Sequence, residues 1–423
     1  MNELMLVAIN LTRRCNLGCA HCYLDAATLR DGNANELSTA EIRALLDDIS
    51  GHSPDALVVL TGGEPLVRKD VEDIAAHGHG LGLAIVVGTN GMLLTDRRVR
   101  SLKAAGVMGA GISVDSLDPG YHDRFRGSAG AWQKTMDGID ACRRHGLAFQ
   151  LHFTITNSNA DELGAMIEFA RSSGAKVMNV FFLICTGRGR SFEDISPARY
   201  EQALGEVIEA QQLHPDLIIR PRCAPHFKRV AFQRASDSMM NRISGRDGDG
   251  CIAGLHYCRI TPEGAVTACP YIDDEVGNIK TSPFVDIWET APDLKALRAP
   301  KLKGNCGKCE FRLICGGCRA RPVAQGGSLM DGDPICGYQP GGAAVIEPLQ
   351  DQAHGAVSWA VDAEARLGRI PGFVRKMVRK RAEAYAAEQG ASEVTTEHLE
   401  VLSARRFGGN PPFGARPPIG KRP

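Results

Sequence analysis

No apolar run in this sequence approaches the length of a bilayer span. The longest, such as LAIVV and VMNVFFLI, fall far short of the roughly 20 residues a membrane helix needs. The opening residues, MNELMLVAIN, lack the basic n-region, long apolar h-region and small-residue cleavage site of a secretory signal. An excess of one charge is missing too. Lys+Arg and Asp+Glu both number 49, so no basic field argues for nucleic acid and no asymmetry argues for a membrane surface. No internal repeat is visible beyond an alternation of strands and helices. These absences leave a cytoplasmic globular chain whose 423 residues allow a full core in two or three domains.

What the chain has in excess is cysteine, 14 in all. A reducing cytosol does not keep disulfides, so metal or redox chemistry is the natural reading. The thiols are also clustered. Cys15, Cys19 and Cys22 fall within LTRRCNLGCAHCYLD, and a second group runs from Cys251 to Cys336. Cys142, Cys185 and Cys223 stand apart, and the first two are expected to be packing residues.

The first half alternates period-2 apolar runs (LMLVAINL, ALVVL, LAIVV, GAGISV, FQLHFTI, VMNVFFL) with helical patterns. Ser38 and Glu41 form a capping box ahead of the stripe Ile42, Leu45, Leu46 and Ile49. Six such units predict an α/β fold, a partial (β/α)6 TIM-type barrel over residues 1–190. The unusual loops (NLTRRC, TGGEP, GTNG, DS, TNSN, CTGRGR) each follow a strand, where parallel barrels place their active sites. Residues 191–250 read as a connector, 251–340 as a cysteine-rich domain and 341–368 as a linker with a short helix. Residues 369–408 read as a small helical domain. There Pro371 precedes a helix with Val374, Met377, Val378, Ala382 and Tyr385 on one face. Gly390 ends that helix and Thr395 caps a second with Leu399 and Leu402. Residues 409–423, rich in Pro and Gly, are expected to be disordered.

C-x3-C-x2-C lets one loop hold three corners of a cubane and leaves the fourth iron open. Taken alone, it also fits a zinc site completed by His21 or a distant residue. With GGEP after the second strand, the chain closely resembles the radical S-adenosylmethionine (radical SAM) enzymes over about residues 4–190. That resemblance implies that Cys15, Cys19 and Cys22 hold a [4Fe–4S] cluster whose open iron binds S-adenosylmethionine. Reductive cleavage then yields a 5′-deoxyadenosyl radical for hydrogen abstraction, with the electron coming from a donor such as flavodoxin or ferredoxin. It also implies cofactor contacts by Gly62, Gly63 and Glu64 (methionyl amine) and by Ser113 and Asp115 (ribose). Asn157, Arg188 and Arg190 fall where the family contacts the carboxylate or adenine. The alternative is that Ser113 and Asp115 simply begin a turn and that the two arginines belong to a solvated loop face.

Cys258, Gly264-x4-Cys269, Cys306-x2-Cys309-x5-Cys315-x2-Cys318 and Cys336 resemble the SPASM domain that follows the barrel in related enzymes. The last gap, CGGC, is one residue shorter than usual. The resemblance implies two auxiliary clusters. One is held by Cys251, Cys258, Cys269 and Cys318, the other by Cys306, Cys309, Cys315 and Cys336. Two structural zinc sites are the alternative. Cys223 and His226, in RPRCAPHFKR, are expected at the edge of the active site. There they meet iron or an anionic substrate beside Arg220, Arg222 and Lys228, or else form an ordinary loop with a buried thiol.

Over about residues 5–340 the chain resembles the SPASM-type branch that modifies tetrapyrrole side chains in haem and modified-haem synthesis. Its C-terminal unit resembles the end of a protochlorophyllide reductase subunit, whose basic helix (Arg375, Lys376, Arg379, Lys380, Arg381) is either a propionate contact or a solvated face. The resemblance implies a small-molecule tetrapyrrole substrate, and the balanced charge and short apolar runs lead us to expect no nucleic-acid or membrane partner. Two rival readings are a maturase of a ribosomal peptide or enzyme side chain and a non-catalytic iron–sulfur carrier. Only a short segment precedes Cys15, so a maturase's leader-binding domain is expected on a separate chain.

Overall fold

A computed structural model describes residues 2, 4–28, 35–192, 194–234, 250–348, 357–368, 370 and 372–407. The polar stretch 241–249 and the tail 409–423 lie outside the described residues. The six expected strands are present: β1 (Leu6–Asn10), β2 (Leu57–Thr61), β3 (Ala84–Thr89), β4 (Gly109–Ser113), β5 (Ala148–Ile155) and β6 (Val177–Phe182). Each pairs in parallel with the next. The helices between them include α1 (Thr39–His52), opened by the Ser38–Glu41 capping box, whose Ile42, Leu45, Leu46 and Ile49 are buried.

The sheet is longer than the sequence pattern predicts. The stretch read as a connector holds a further parallel strand, β7 (Ile218–Arg222), on the free edge of β6. Pro221 hides it, since proline is tolerated in strands mainly at a sheet edge. On the other side, β8 (Tyr257–Ile260) of the cysteine-rich segment pairs in parallel with β1, and β9 (Ala265–Thr267) and β10 (Gly277–Asn278) follow antiparallel.

The two faces of the sheet differ. Side chains alternate across a strand, and on β5 the alternation is complete: Phe149, Leu151, Phe153 and Ile155 are buried, while Gln150, His152 and Thr154 are half-buried. The buried face continues through Val7, Ile9, Val58, Leu60, Ile85, Val87, Met178 and Val180, which share one core with the helices.

The C-terminal unit starts earlier than position 369. Helix Val361–Gly368, placed by the sequence in a linker, supplies Ala363 to a core with Ala382, Ala386, Val394 and Leu399. Strands Ser358–Trp359 and Glu393–Val394 pair in parallel beside it. Helices Gly372–Glu388 and Thr396–Phe407 match the two expected. The side chains of Val374, Lys376, Met377 and Lys380 lie outside the described set. Among the described residues, no helix is long and apolar enough to cross a membrane.

Candidate cluster-binding sites

The loop after β1 carries Cys15, Cys19 and Cys22, the first two buried. Each thiol has a donor beside it. Leu17 N–H reaches Cys15 Sγ at 3.4 Å, Arg126 Nη1 reaches Cys19 Sγ at 3.7 Å and Ala26 N–H reaches Cys22 Sγ at 3.5 Å. Burial pushes the Cys15 thiol up to about 12 and raises Cys19 as well. Uncompensated thiolates are therefore disfavoured there, and a bound cation relieves that cost. His21 stacks on Phe125, ring centroids 4.4 Å apart.

The glycines of the second loop let the first lie across them. A Cβ on Gly62 (φ +136°) would stand 2.6 Å from Thr12 O, and one on Gly63 would collide with the Arg14 carbonyl. The crossing is sealed by Gly63 N–H to Thr12 O and Glu64 N–H to Arg14 O, 2.8 and 2.9 Å. Glu64 is fully buried. Its carboxylate accepts from Leu66 N–H, Thr89 Oγ1 and Asn90 N–H at 2.9–3.1 Å. Burial raises its carboxyl to about 7 against those hydrogen bonds. The loop after β2 is thus tied to the end of β3. Asn90 continues the tie, donating to Asn16 Oδ1 at 2.7 Å inside the cysteine loop.

Asp115, expected at a ribose, is fully buried and ion-paired with Arg126. Burial works to raise its carboxyl, but Arg126, with His21 and His122, outweighs that and holds it below its ordinary value. Arg126 therefore joins Asp115 to the Cys19 thiol, a role no sequence pattern signals. Ser113 stays half-buried at the end of β4. Asn157 is exposed and donates to Asp194 O at 3.3 Å. Its neighbour Asn159 is the buried one, donating to Asp115 O and Thr154 O at 2.9 and 3.0 Å. Arg188 splints the cysteine loop, binding Cys19 O at 2.9 Å, Asp25 Oδ1 at 2.9 Å and Ala26 O at 3.0 Å. Arg190 is exposed.

Cys306, Cys309, Cys315 and Cys336 line one small pocket. Asp333 N–H reaches Cys306 Sγ at 3.4 Å and Gly317 N–H reaches Cys315 Sγ at 3.5 Å. Arg229 faces the same cavity. Burial raises the Cys315 thiol, and the neighbouring Cys306 and Cys336 raise it further. Four thiols around one space, supplied with N–H donors and a guanidinium, fit an iron–sulfur cluster.

The other expected quartet is altered. Cys269 packs against the small cluster that holds Cys318, but Cys258 does not join them. It sits on β8 opposite Val7 and is fully buried in the main core. Cys223 instead packs, as Cys269 and Tyr271 do, against the small buried cluster of Ile184, Ile272, Cys318 and Ala320. Burial raises the Cys269 thiol, and the charges of Cys223, Cys318 and Cys251 raise it further. His226 is not at a substrate edge either. It is buried, with Nδ1 2.8 Å from the Tyr200 hydroxyl and Nε2 3.6 Å from Asp333 Oδ2. Lys228 is buried as well, its Nζ 5.5 Å from the Phe227 ring centroid.

Arg220 and Arg222 belong to the half-buried face of the sheet. Arg222 donates to Asn179 Oδ1 at 3.0 Å, and Asn179 to Gln150 Oε1 at 2.9 Å. Strand register puts His152, Asn179 and Arg220 on the same face. Gly88, Gly111 and Ser113 continue it across β3 and β4. A filled barrel carries branched apolar residues in its interior, whereas this face mixes glycines and polar groups with Val59, Val86 and Phe181 and has two guanidinium groups at one side. In the C-terminal unit, Arg375 pairs with Asp55 at 3.3 Å. Arg379 pairs with Glu364 and lies over Trp359, 4.6 Å from the ring centroid. These two arginines are engaged with protein groups.

Family models match at residues 9–170 (Radical SAM superfamily), 251–310 (iron-sulfur cluster-binding domain) and 359–402 (proto-chlorophyllide reductase 57 kD subunit). The chain is 38% identical to an AdoMet-dependent heme synthase of Methanosarcina barkeri over 346 residues, 80% of this chain and 98% of that one. It is 32% identical to a pre-heme d1 synthase of Dinoroseobacter shibae over 352 residues, 78% and 85% of the two chains. Streptococcus suis SuiB bound to its precursor peptide SuiA has a similar fold, with TM-score 0.65 and 17% identity over 80% of this chain and 77% of that one.

Proposed function

Because the chain belongs to the radical SAM superfamily, in the branch that holds the AdoMet-dependent heme synthases, we propose that it removes or decarboxylates acidic side chains of a tetrapyrrole. Its cofactors are [4Fe–4S] clusters and S-adenosylmethionine. When bound, they supply a 5′-deoxyadenosyl radical that takes a hydrogen atom from a substrate side chain. Cys15, Cys19 and Cys22 hold the cluster, steadied by Arg126 and Arg188. Gly62 and Gly63 keep the loop close to the sheet, and Glu64 locks that crossing in place. Ser113 and the half-buried polar face form the wall the substrate meets.

The observation that carries this reading is that face. Arg220 and Arg222 stand beside His152, Asn179 and Gln150 on an open sheet, a setting suited to propionate or acetate carboxylates on a broad planar molecule. A radical is suited to such side chains because their C–H bonds offer no acidic proton to a base. An outside one-electron donor such as flavodoxin or ferredoxin is required. A reducing cytoplasm suits the 14 cysteines, all of them free thiols.

Anaerobic incubation with S-adenosylmethionine, a reductant and coproporphyrin-type or sirohaem-derived compounds tests the proposal by mass spectrometry. The expected result is 5′-deoxyadenosine together with a tetrapyrrole lighter by the lost groups. Deuterium transfer from a labelled peptide, with no change in any tetrapyrrole, overturns it in favour of peptide maturation. Absence of 5′-deoxyadenosine under every condition overturns both.

A further inference from the structure

We infer that the first auxiliary cluster is held by Cys223, Cys251, Cys269 and Cys318, with Cys223 in the place that spacing gives to Cys258. The inference rests on the reading that the cysteine-rich domain carries auxiliary clusters, and it names a ligand from outside that domain.

Strand geometry excludes Cys258. Neighbouring residues on a strand point to opposite faces. Arg259 turns toward the Cys269 corner, its Nε bonding Thr267 Oγ1 at 3.0 Å and its Nη1 bonding Pro270 O at 2.8 Å. Thr267 Oγ1 in turn bonds Cys269 O at 3.0 Å. Cys258 and Ile260 therefore point the other way, into the apolar core, and neither is exposed at all. A one-residue slip would reverse the faces, but the register of β8 is pinned by Val7↔Cys258 and Ile9↔Ile260 on β1.

Geometry also brings Cys223 in. It follows β7 directly, and its backbone is left-handed (φ +59°), uncommon for a residue with a side chain and a feature that concentrates at functional sites. The turn is held from below: the fully buried Arg321 donates to Cys223 O at 3.4–3.5 Å and pairs with Asp333 at 3.3 Å. The thiol packs against the small buried cluster that holds Cys318, as Cys269 and Tyr271 do. Cys251 is the first residue of the matched iron-sulfur cluster-binding domain. The cluster thus fastens the last parallel strand of the barrel to the cysteine-rich domain, coupling metal binding to closure of that edge.

The test uses the full chain carrying Cys15→Ala, Cys19→Ala and Cys22→Ala, so that any iron is auxiliary. In this background Cys223→Ala is expected to lose one cubane's iron and its EPR signal, while Cys258→Val keeps all of it. Cys223→Ser, which exchanges sulfur for oxygen at the metal, is expected to retain iron with a shifted EPR signal, a change that a packing role does not produce. Full auxiliary iron in Cys223→Ala, or loss of a cluster in Cys258→Val, overturns the inference. A background with no auxiliary iron at all overturns the cluster reading beneath it.

Discussion

Arg126 stands at the last turn of the helix Pro119–Arg126 and serves two partners at once, the Cys19 thiol and the Asp115 carboxylate. Both partners are buried, so neither has water to replace it. Removing the arginine alone leaves an unpaired buried carboxylate, at a cost of about 3–5 kcal/mol. Arg126→Met should therefore lower the melting temperature and the iron bound at the first cysteine loop. The double variant Arg126→Met/Asp115→Asn should regain much of the stability but not the iron, because the N–H donor to Cys19 is still missing. Calorimetry and iron analysis of the three proteins check this, and a single variant as stable as the parent would refute it. Arg126→Lys is not a conservative change, since one ammonium cannot match the fork geometry that reaches both groups.

At the scale of elements, the end of β1 is held in place by Arg68. Its Nη1 donates to Leu11 O and Leu37 O at 2.8 and 3.0 Å, and its other two nitrogens grip Asp70 at 2.8 and 2.6 Å. The Arg68 hydrogen bonds, outweighing burial and helped by Thr39, hold the Asp70 carboxyl down at about 2. A folded value below the unfolded one, about 3.9, means the stabilisation is fully present above pH 4 and is lost as pH falls toward 2. The pair is partly exposed, so solvent screening limits it to about 1 kcal/mol. Asp70→Asn should be less stable than the parent by that amount between pH 5 and 8, and the gap should close below pH 4. Urea titrations at stepped pH measure it, and a gap that stays constant down to pH 2.5 would contradict the assignment. Elements were also where the sequence was most readable. The period-2 runs of β1 to β6 marked themselves because one face is wholly buried against helices. Strand β7 escaped because Pro221 and two arginines broke its pattern, and β8 because its apolar residues lie within a stretch dominated by cysteines. Spacing grouped Cys306, Cys309, Cys315 and Cys336, and the fold sets these four around one pocket. It also grouped Cys258 with Cys251, Cys269 and Cys318, whereas strand β8 turns Cys258 into the apolar core, and distance along a chain does not reveal which face of a strand a side chain occupies. Arg126, Asn90 and Asn159 carried no signal, since a single polar residue in a loop looks the same whether it faces water or a buried thiol.

For the whole molecule, the question is where a large acidic substrate meets the chain. Two basic regions compete, the helix Gly372–Glu388 and the inner face of the sheet. On the helix, Arg375 and Arg379 already hold Asp55, Glu364 and the Trp359 ring, so recruiting them for a ligand would break existing pairs. On the sheet, Arg220 and Arg222 lie two residues apart on one face of an edge strand, beside half-buried His152, and the Asn179 partner of Arg222 is a neutral amide rather than a carboxylate. Charge-assisted pairs with carboxylates contribute about 1.5–3 kcal/mol each when partly shielded from water. Arg220→Ala and Arg222→Ala should therefore weaken tetrapyrrole binding about tenfold or more in spectral titrations and raise KM more than they lower kcat. For Arg220→Ala, iron content and substrate-free cleavage of S-adenosylmethionine should stay near parental values. Arg222 adjoins Cys223, so Arg222→Ala is compared with the parent at matched iron content. The loss should shrink as salt rises, since screening weakens the parental contact. Arg379→Ala serves as the contrast, expected to lower stability slightly while leaving the titration unchanged. If Arg379→Ala weakens binding and the two sheet variants do not, the substrate lies against the C-terminal unit rather than inside the open barrel.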